Sequence, residues 1–142
     1  MALRPWSYVK AYTFNLFPAQ DAVQLRILEN GVWSKHVHSE VLVGHSQALK
    51  VVELVNSTRG SFSKYPFPRH AFVFFNGRDE PIGSVDVCFE CDDLFPWPDF
   101  TIGDGIKYGI YDEDGRKGEF WTEFEAALPA YASIFKELGL PL

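Results

Sequence analysis

Apolar and polar residues alternate in short stretches along most of the chain, and take helical spacing in two places. In residues 6–17, Tyr8, Ala11 or Tyr12, Phe14 and Leu16 predict a first strand, which Pro18 to Asp21 break. Val23, Leu25 and Ile27 alternate with Gln24 and Arg26, the period of a half-buried strand. Asn30-Gly31 follows, and both residues tolerate the positive φ that a type I′ hairpin turn requires. The return strand is predicted from Val32 to about Val43, with Trp33, Lys35, Val37, Ser39, Val41 and Val43 on one face. Further on, Ala71-Phe72-Val73-Phe74-Phe75 is apolar at every position, as in a central strand covered on both sides. Asn76 to Pro81 turns the chain, and Ile82–Phe89 is predicted to pair back. There Val85, Val87 and Phe89 share one face, and Ser84, Asp86 and Cys88 the other.

Ser46 is a suitable N-cap for a helix over Gln47–Asn56, and Ala48, Val51, Val52 and Val55 supply its apolar stripe. A second helix is predicted at the C-terminus. Pro129 suits its first turn, Tyr131, Ile134, Phe135 and Leu138 form its buried face, and Gly139 and Pro141 stop it. Phe120–Leu128 reads as a separate helical turn. Ser61 to Arg69 reads as a loop, and from Glu90 to Gly118 the periodicity fails, with Pro96, Pro98 and five glycines. Within that stretch, Ile106–Tyr111 reads as a short strand turning at Asp112–Gly115. The expected fold is α+β: an antiparallel sheet of about five strands, with a mid-chain helix and a C-terminal helix on one face. Neither long connection demands a parallel crossover.

A length of 142 residues fits a single domain, residues 1–142, and lets roughly 68% of the unfolded surface be buried. Aromatic residues make up 16% of the chain, enough to fill a small core and leave some for a surface. No apolar run has the length of a membrane span. Met1 to Phe17 lacks a continuous apolar region and does not read as a signal peptide. Two cysteines do not make a secreted disulfide scaffold, so a cytoplasmic location is expected.

Charge changes the picture most. Nine carboxylates (Asp86, Glu90, Asp92, Asp93, Asp99, Asp104, Asp112, Glu113 and Asp114) lie within residues 86–114 against one cation, Lys107. That segment carries −8 and the rest of the chain +2, which gives the net charge of −6. Trp97, Phe100 and Tyr108 are interleaved with the acids. A concentrated negative field beside large rigid rings suits the docking of a basic protein. The expected partner-binding residues are Asp92, Asp93, Trp97, Asp99, Phe100, Asp104, Tyr108, Asp112 and Asp114. The same field disfavours nucleic acid and anionic membranes.

Cys88-Phe89-Glu90-Cys91 is the sharpest short motif. Two cysteines three apart occur as plain structural residues, as a local disulfide, or as metal ligands. A zinc site would need further donors, for which His70, across the hairpin from Cys88 and Cys91, is the candidate. His36-Val37-His38, with Glu40 beyond, has a spacing that can chelate, and also that of a solvated hairpin face. Asp112-Glu113-Asp114-Gly115 lacks the later ligands of a calcium loop. There is no nucleophile elbow, phosphate loop or dinucleotide fingerprint, so no enzymatic activity and no cofactor are expected.

Ser61-Phe62, Pro68 to Phe75, Val87 to Asp92 and Leu138-Gly139-Leu140-Pro141 together resemble an uncharacterised family of small bacterial domains with a Pro-Arg-His…Cys-Phe-x-Cys hairpin. The resemblance covers about a third of the chain, mainly residues 61–93. It implies an α+β fold and brings no activity with it. In that family a cysteine often precedes the Phe at position 62, where this chain has Ser61, which removes a third thiol. Small size and acidic charge also resemble immunity proteins, which neutralise a toxin by covering its active site. The function expected is therefore an immunity or antitoxin-like protein-binding module acting on a basic toxin domain. The alternative is a small thiol or zinc protein built on Cys88 and Cys91.

Overall fold

The computed structural model describes residues 6–17, 24–59, 67–90, 93–97 and 122–142. In chain order the elements are β1 (Tyr8–Phe14), β2 (Leu28–Glu29), β3 (Val32–Trp33), β4 (Val37–Leu42), α1 (His45–Ser57), β5 (Thr58–Arg59), β6 (His70–Phe75), β7 (Pro81–Cys88), β8 (Asp93–Trp97), β9 (Thr122–Glu123) and α2 (Phe124–Glu137). Five of them form an antiparallel sheet in the order β4-β1-β6-β7-β8. The fold is α+β, with a separate two-stranded β2–β3 sheet and two helices. Among the described residues, no helix is long and apolar enough to cross a membrane.

Strand alternation splits the core into two layers. On one face, Val9, Ala11, Phe72, Phe74, Val85 and Val87 meet Val51 and Val55 of α1 and Tyr131, Ile134 and Phe135 of α2. Both helices therefore cover the same side of the sheet. Phe135 anchors this layer, its ring stacked on Phe72 with centroids 4.5 Å apart. On the other face, Tyr12, Phe14, Ala71, Val73 and Phe75 pack with Ile27, Leu28 and Trp33 from the β2–β3 segment. Strand β6 lies between the two layers and is buried at every position, as its unbroken apolar sequence requires.

The turns behave as their residue types dictate. Asn30 and Gly31 both take positive φ, 51° and 79°, between β2 and β3. Gly139 (φ 77°) ends α2: its N–H donates to the Lys136 carbonyl at 2.9 Å, and the Leu140 N–H donates to Phe135 at 3.0 Å. That pair of bonds is the Schellman termination, which satisfies carbonyls the helix would otherwise leave bare.

Several local expectations are corrected. Residues 24–27 join no sheet ladder, because their donors go elsewhere. The Leu25 and Arg26 N–H groups bond to the Glu29 carboxylate, and that of Ile27 bonds to Asp86. The return strand is split after Trp33, and β4 belongs to the large sheet. A bulge there pairs Thr13 with Ser39 and Phe14 with Val37, leaving His38 as the extra residue. Helix α1 starts at His45, and its first bond runs from the Ala48 N–H to the Gly44 carbonyl. Gly44, not Ser46, is thus the N-cap. Helix α2 starts at Phe124, so Pro129 sits inside one continuous helix. Ala127 extends the face of Tyr131 one turn earlier, and its burial draws the helix through the proline.

Residues Asp93–Trp97, expected to be irregular, form edge strand β8 opposite β7. An edge is where a strand tolerates Pro96, which has no N–H to give to a ladder. A two-residue parallel pair was not expected either. It joins Thr58 and Arg59 to Thr122 and Glu123, tying the end of α1 to the start of α2. The strand expected at Ile106–Tyr111 lies outside the described residues.

Candidate functional site

The acid-rich stretch divides in two. Asp86 is fully buried on β7, where alternation turns it away from the helices. Its Oδ2 accepts from Arg26 Nε at 3.0 Å and from the Ile27 N–H at 2.9 Å. The same guanidinium donates to the Phe95 carbonyl and lies over the Phe95 ring. Burial pushes the Asp86 carboxyl up to about 6, against the lowering effects of the Arg26 charge and these hydrogen bonds. Glu90 is exposed and paired with Arg69 at 3.0 Å. Phe95 is buried, and Phe89 packs edge-on to His70 and Phe135. These two rings belong to the interior. Of the expected partner-binding residues, Asp93 and Trp97 bound the edge strand β8. Asp92, Asp99, Phe100, Asp104, Tyr108, Asp112 and Asp114 lie outside the described residues.

The Pro-Arg-His segment works as a junction. Arg69 donates to the carbonyls of Asn15 and Phe17, pairs with Glu90, and stacks over Phe67 with 4.6 Å to the ring centroid. It thereby joins the end of β1, the start of β6 and the end of β7. His70 is buried beside Phe135 and Phe89, and its Nε2 lies 2.6 Å from the Pro141 carbonyl. Burial holds this imidazole below its usual pKa, while the Pro141 bond opposes the shift. Cys88 is disulfide-bonded, and Cys91 lies outside the described residues. A disulfide sulfur is not a thiolate donor, and the His70 Nε2 is already occupied. Two-residue alternation does not align His36 with His38. His36 precedes β4 and meets the Phe17 ring at 4.7 Å, and His38 is the bulge residue. No group of three or more potential metal ligands occurs among the described residues.

The described residues leave grooves on the surface, among them two of similar size. One, of about 320 Å³, lies between α1 and α2 and is lined by Lys50, Glu53, Leu54, Ala130, Ser133, Ile134 and Glu137. The other, of about 350 Å³, lies on the opposite side of the sheet and is lined by Lys10, Tyr12, Trp33, Val37, Glu40 and Phe75. In the second groove the Phe75 and Trp33 rings are nearly parallel, 14° apart with centroids at 6.2 Å. Tyr8 stacks face to face on Phe75 at 4.9 Å, and its hydroxyl donates to Asp79 at 2.7 Å. Lys10 Nζ contacts Glu40 at 3.0 Å and lies over the Phe75 ring. The Lys10 hydrogen bond holds the Glu40 carboxyl below its usual pKa, and burial together with Glu40 raises that of Tyr12.

Sequence reasoning missed this groove. The one signal for it was the Tyr8-x-Lys10-x-Tyr12 alternation, which places two aromatics and a cation on one strand face. Trp33, Glu40 and Phe75 come from three other strands, and no spacing links them.

Comparison of the chain with protein-family models, with curated proteins and with solved structures gives no match.

Proposed function

We propose that this protein is a protein-binding module of the immunity type, which neutralises a basic toxin domain through its acid- and aromatic-rich stretch. The location of the charge carries this reading. Asp86 and Glu90 are balanced by Arg26 and Arg69. Residues 91–114 then hold seven carboxylates and Lys107, a charge of −6 that equals the net charge of the chain. Everything outside that stretch sums to zero. The strand that opens it, β8, is a margin of the sheet among the described residues. Nuclease toxins are basic because they bind phosphates, so carboxylates compete in the same field.

The test is a pull-down from the native host, with association of any basic protein recovered then followed at several salt concentrations. Binding should slow as salt rises. The double reversal Asp92→Lys, Asp93→Lys should lower the on-rate roughly tenfold and flatten the salt dependence. An on-rate untouched by that reversal rejects the electrostatic mechanism.

A second reading, a thiol protein, draws on the disulfide at Cys88. Thiol titration before and after reduction, together with elemental analysis for zinc, tests it. Two inert sulfurs without stoichiometric metal would remove it.

A further inference from the structure

We propose that the Cys88 disulfide is a redox switch at the edge of the large sheet, and that its reduction loosens β8 from β7 without unfolding the rest. The inference rests on the thiol reading, which it deepens, and does not depend on a toxin partner. The chain has two cysteines and neither is free, so Cys88 pairs with Cys91.

Position in the fold gives the bond this role. Cys88 ends β7 and stands opposite Asp93, the first residue of β8, so residues 89–92 are the loop of a hairpin. The disulfide holds that loop shut from within. Among the described residues, β8 pairs with β7 alone, and Pro96 has no N–H to add to the ladder. Each time the hairpin opens, its return depends on closing the loop. With the sulfurs joined, the loop is already closed; with them apart, the ladder must close it. A bridge from Cys88 to Cys91 spans four residues. In the chain-entropy account such a loop shifts the equilibrium about twentyfold, whereas a loop of roughly 15 residues shifts it about 150-fold. The bond is thus too local to staple the whole fold, and strong enough to set how often its own hairpin opens. Leu94 and Phe95 are buried and keep β8 seated in both states, so reduction changes the frequency of opening and leaves the fold in place.

The reaction is thiol–disulfide exchange with a dithiol. Cys88 is 2% exposed, so the thiolate of the dithiol attacks the Cys91 sulfur. The S–S bond breaks, and Cys88 leaves as a thiolate and takes up a proton. The second thiolate of the reductant then displaces Cys91, which is protonated in turn, and the reductant closes its own disulfide. Two electrons and two protons pass to the protein. The coupling runs both ways: whatever holds β8 against β7 makes the pair harder to reduce by up to the same twentyfold factor, about 40 mV for a two-electron couple. Residue 91 also opens the acid-rich stretch, so a molecule that binds there and steadies β8 biases the state of the sulfurs.

The test is hydrogen exchange followed by NMR on the full chain, first oxidised and then equilibrated with excess dithiothreitol, with free thiols counted in each sample. Reduction should release both thiols and speed exchange of the β8 amides about twentyfold, with the β1 and β6 amides remaining the slowest in the chain. Cys91→Ser should show the fast β8 rates from the start and not respond to dithiothreitol. A pair that stays oxidised in excess dithiothreitol overturns the proposal together with the thiol reading. Thiols that appear while β8 exchanges at an unchanged rate overturn the proposal alone. So does a reduced chain whose β8 and β6 amides exchange together, since the bond would then be a general staple, or a Cys91→Ser chain that keeps the oxidised rates.

Discussion

A single carboxylate, Asp86, fastens the β2–β3 segment to the sheet by accepting from both Arg26 Nε and the adjacent Ile27 N–H. The two sides of this clamp are not equivalent. Asp86 has no exposure at all, while a quarter of the Arg26 side chain reaches solvent. Removing the arginine strands a buried anion, whereas neutralising the aspartate leaves a cation that can turn toward water. Arg26→Ala should therefore cost about 3–5 kcal/mol at neutral pH, and Asp86→Asn only about 1–3 kcal/mol. Urea unfolding of the two variants checks the order. Equal losses would show that the desolvated anion is not the dominant penalty.

The same carboxyl predicts a pH dependence. Its pKa rises from 3.8 to about 6 on folding, so between those values the folded state binds more protons than the unfolded state. Stability from this group then falls as pH rises, and is regained as pH drops through 6 toward 3.8. The shift corresponds to about 3 kcal/mol. Glu40 acts in the opposite direction, because its lowered pKa gives a contribution that acid removes. The clean measurement is thus wild type against Asp86→Asn. From pH 7 to pH 4, the wild type should gain on the variant by about that amount.

Phe135 stacks on Phe72 and meets His70 and Phe89 edge-on, joining α2 to the centre of the sheet. Phe135→Ala should cost about 3–5 kcal/mol. A double-mutant cycle with Phe72→Ala should recover a coupling of about 0.5–1.5 kcal/mol. A coupling near zero would show that the two rings contribute through burial alone.

Gly139 ends α2 at φ 77° with no atom near its missing Cβ, so only backbone conformation opposes a side chain there. Gly139→Ala should cost about 1–2 kcal/mol, with a lower Tm and otherwise unchanged spectra. Because His70 binds the Pro141 carbonyl two residues on, the variant should also shift the His70 ring resonances.

Features governed by neighbours in sequence were legible. Asn30-Gly31 specified its turn and Gly139 its stop. The uninterrupted apolar run 71–75 specified a central strand. What depended on distant partners was not. Asp86 looked like one acid among nine, because the arginine that draws it inward lies 60 residues earlier. Alternation ran on smoothly through Ser34–His38, hiding both the break and the bulge, since a bulge changes pairing without changing composition. Pro96 and Pro98 disguised β8, because a proline argues against a strand only when both sides of that strand are paired. The aromatic groove draws its lining from four strands, so it exists only after the sheet is assembled.

The two margins of the large sheet are each interrupted, β4 by the irregularity at His38 and β8 by Pro96. Neither flank offers a stranger an unbroken row of amide donors and carbonyls on which to grow. Straightening the first flank by deleting His38, or restoring the missing donor in the second with Pro96→Val, should raise edge-to-edge association, read as light scattering that grows with concentration faster than in the parent chain.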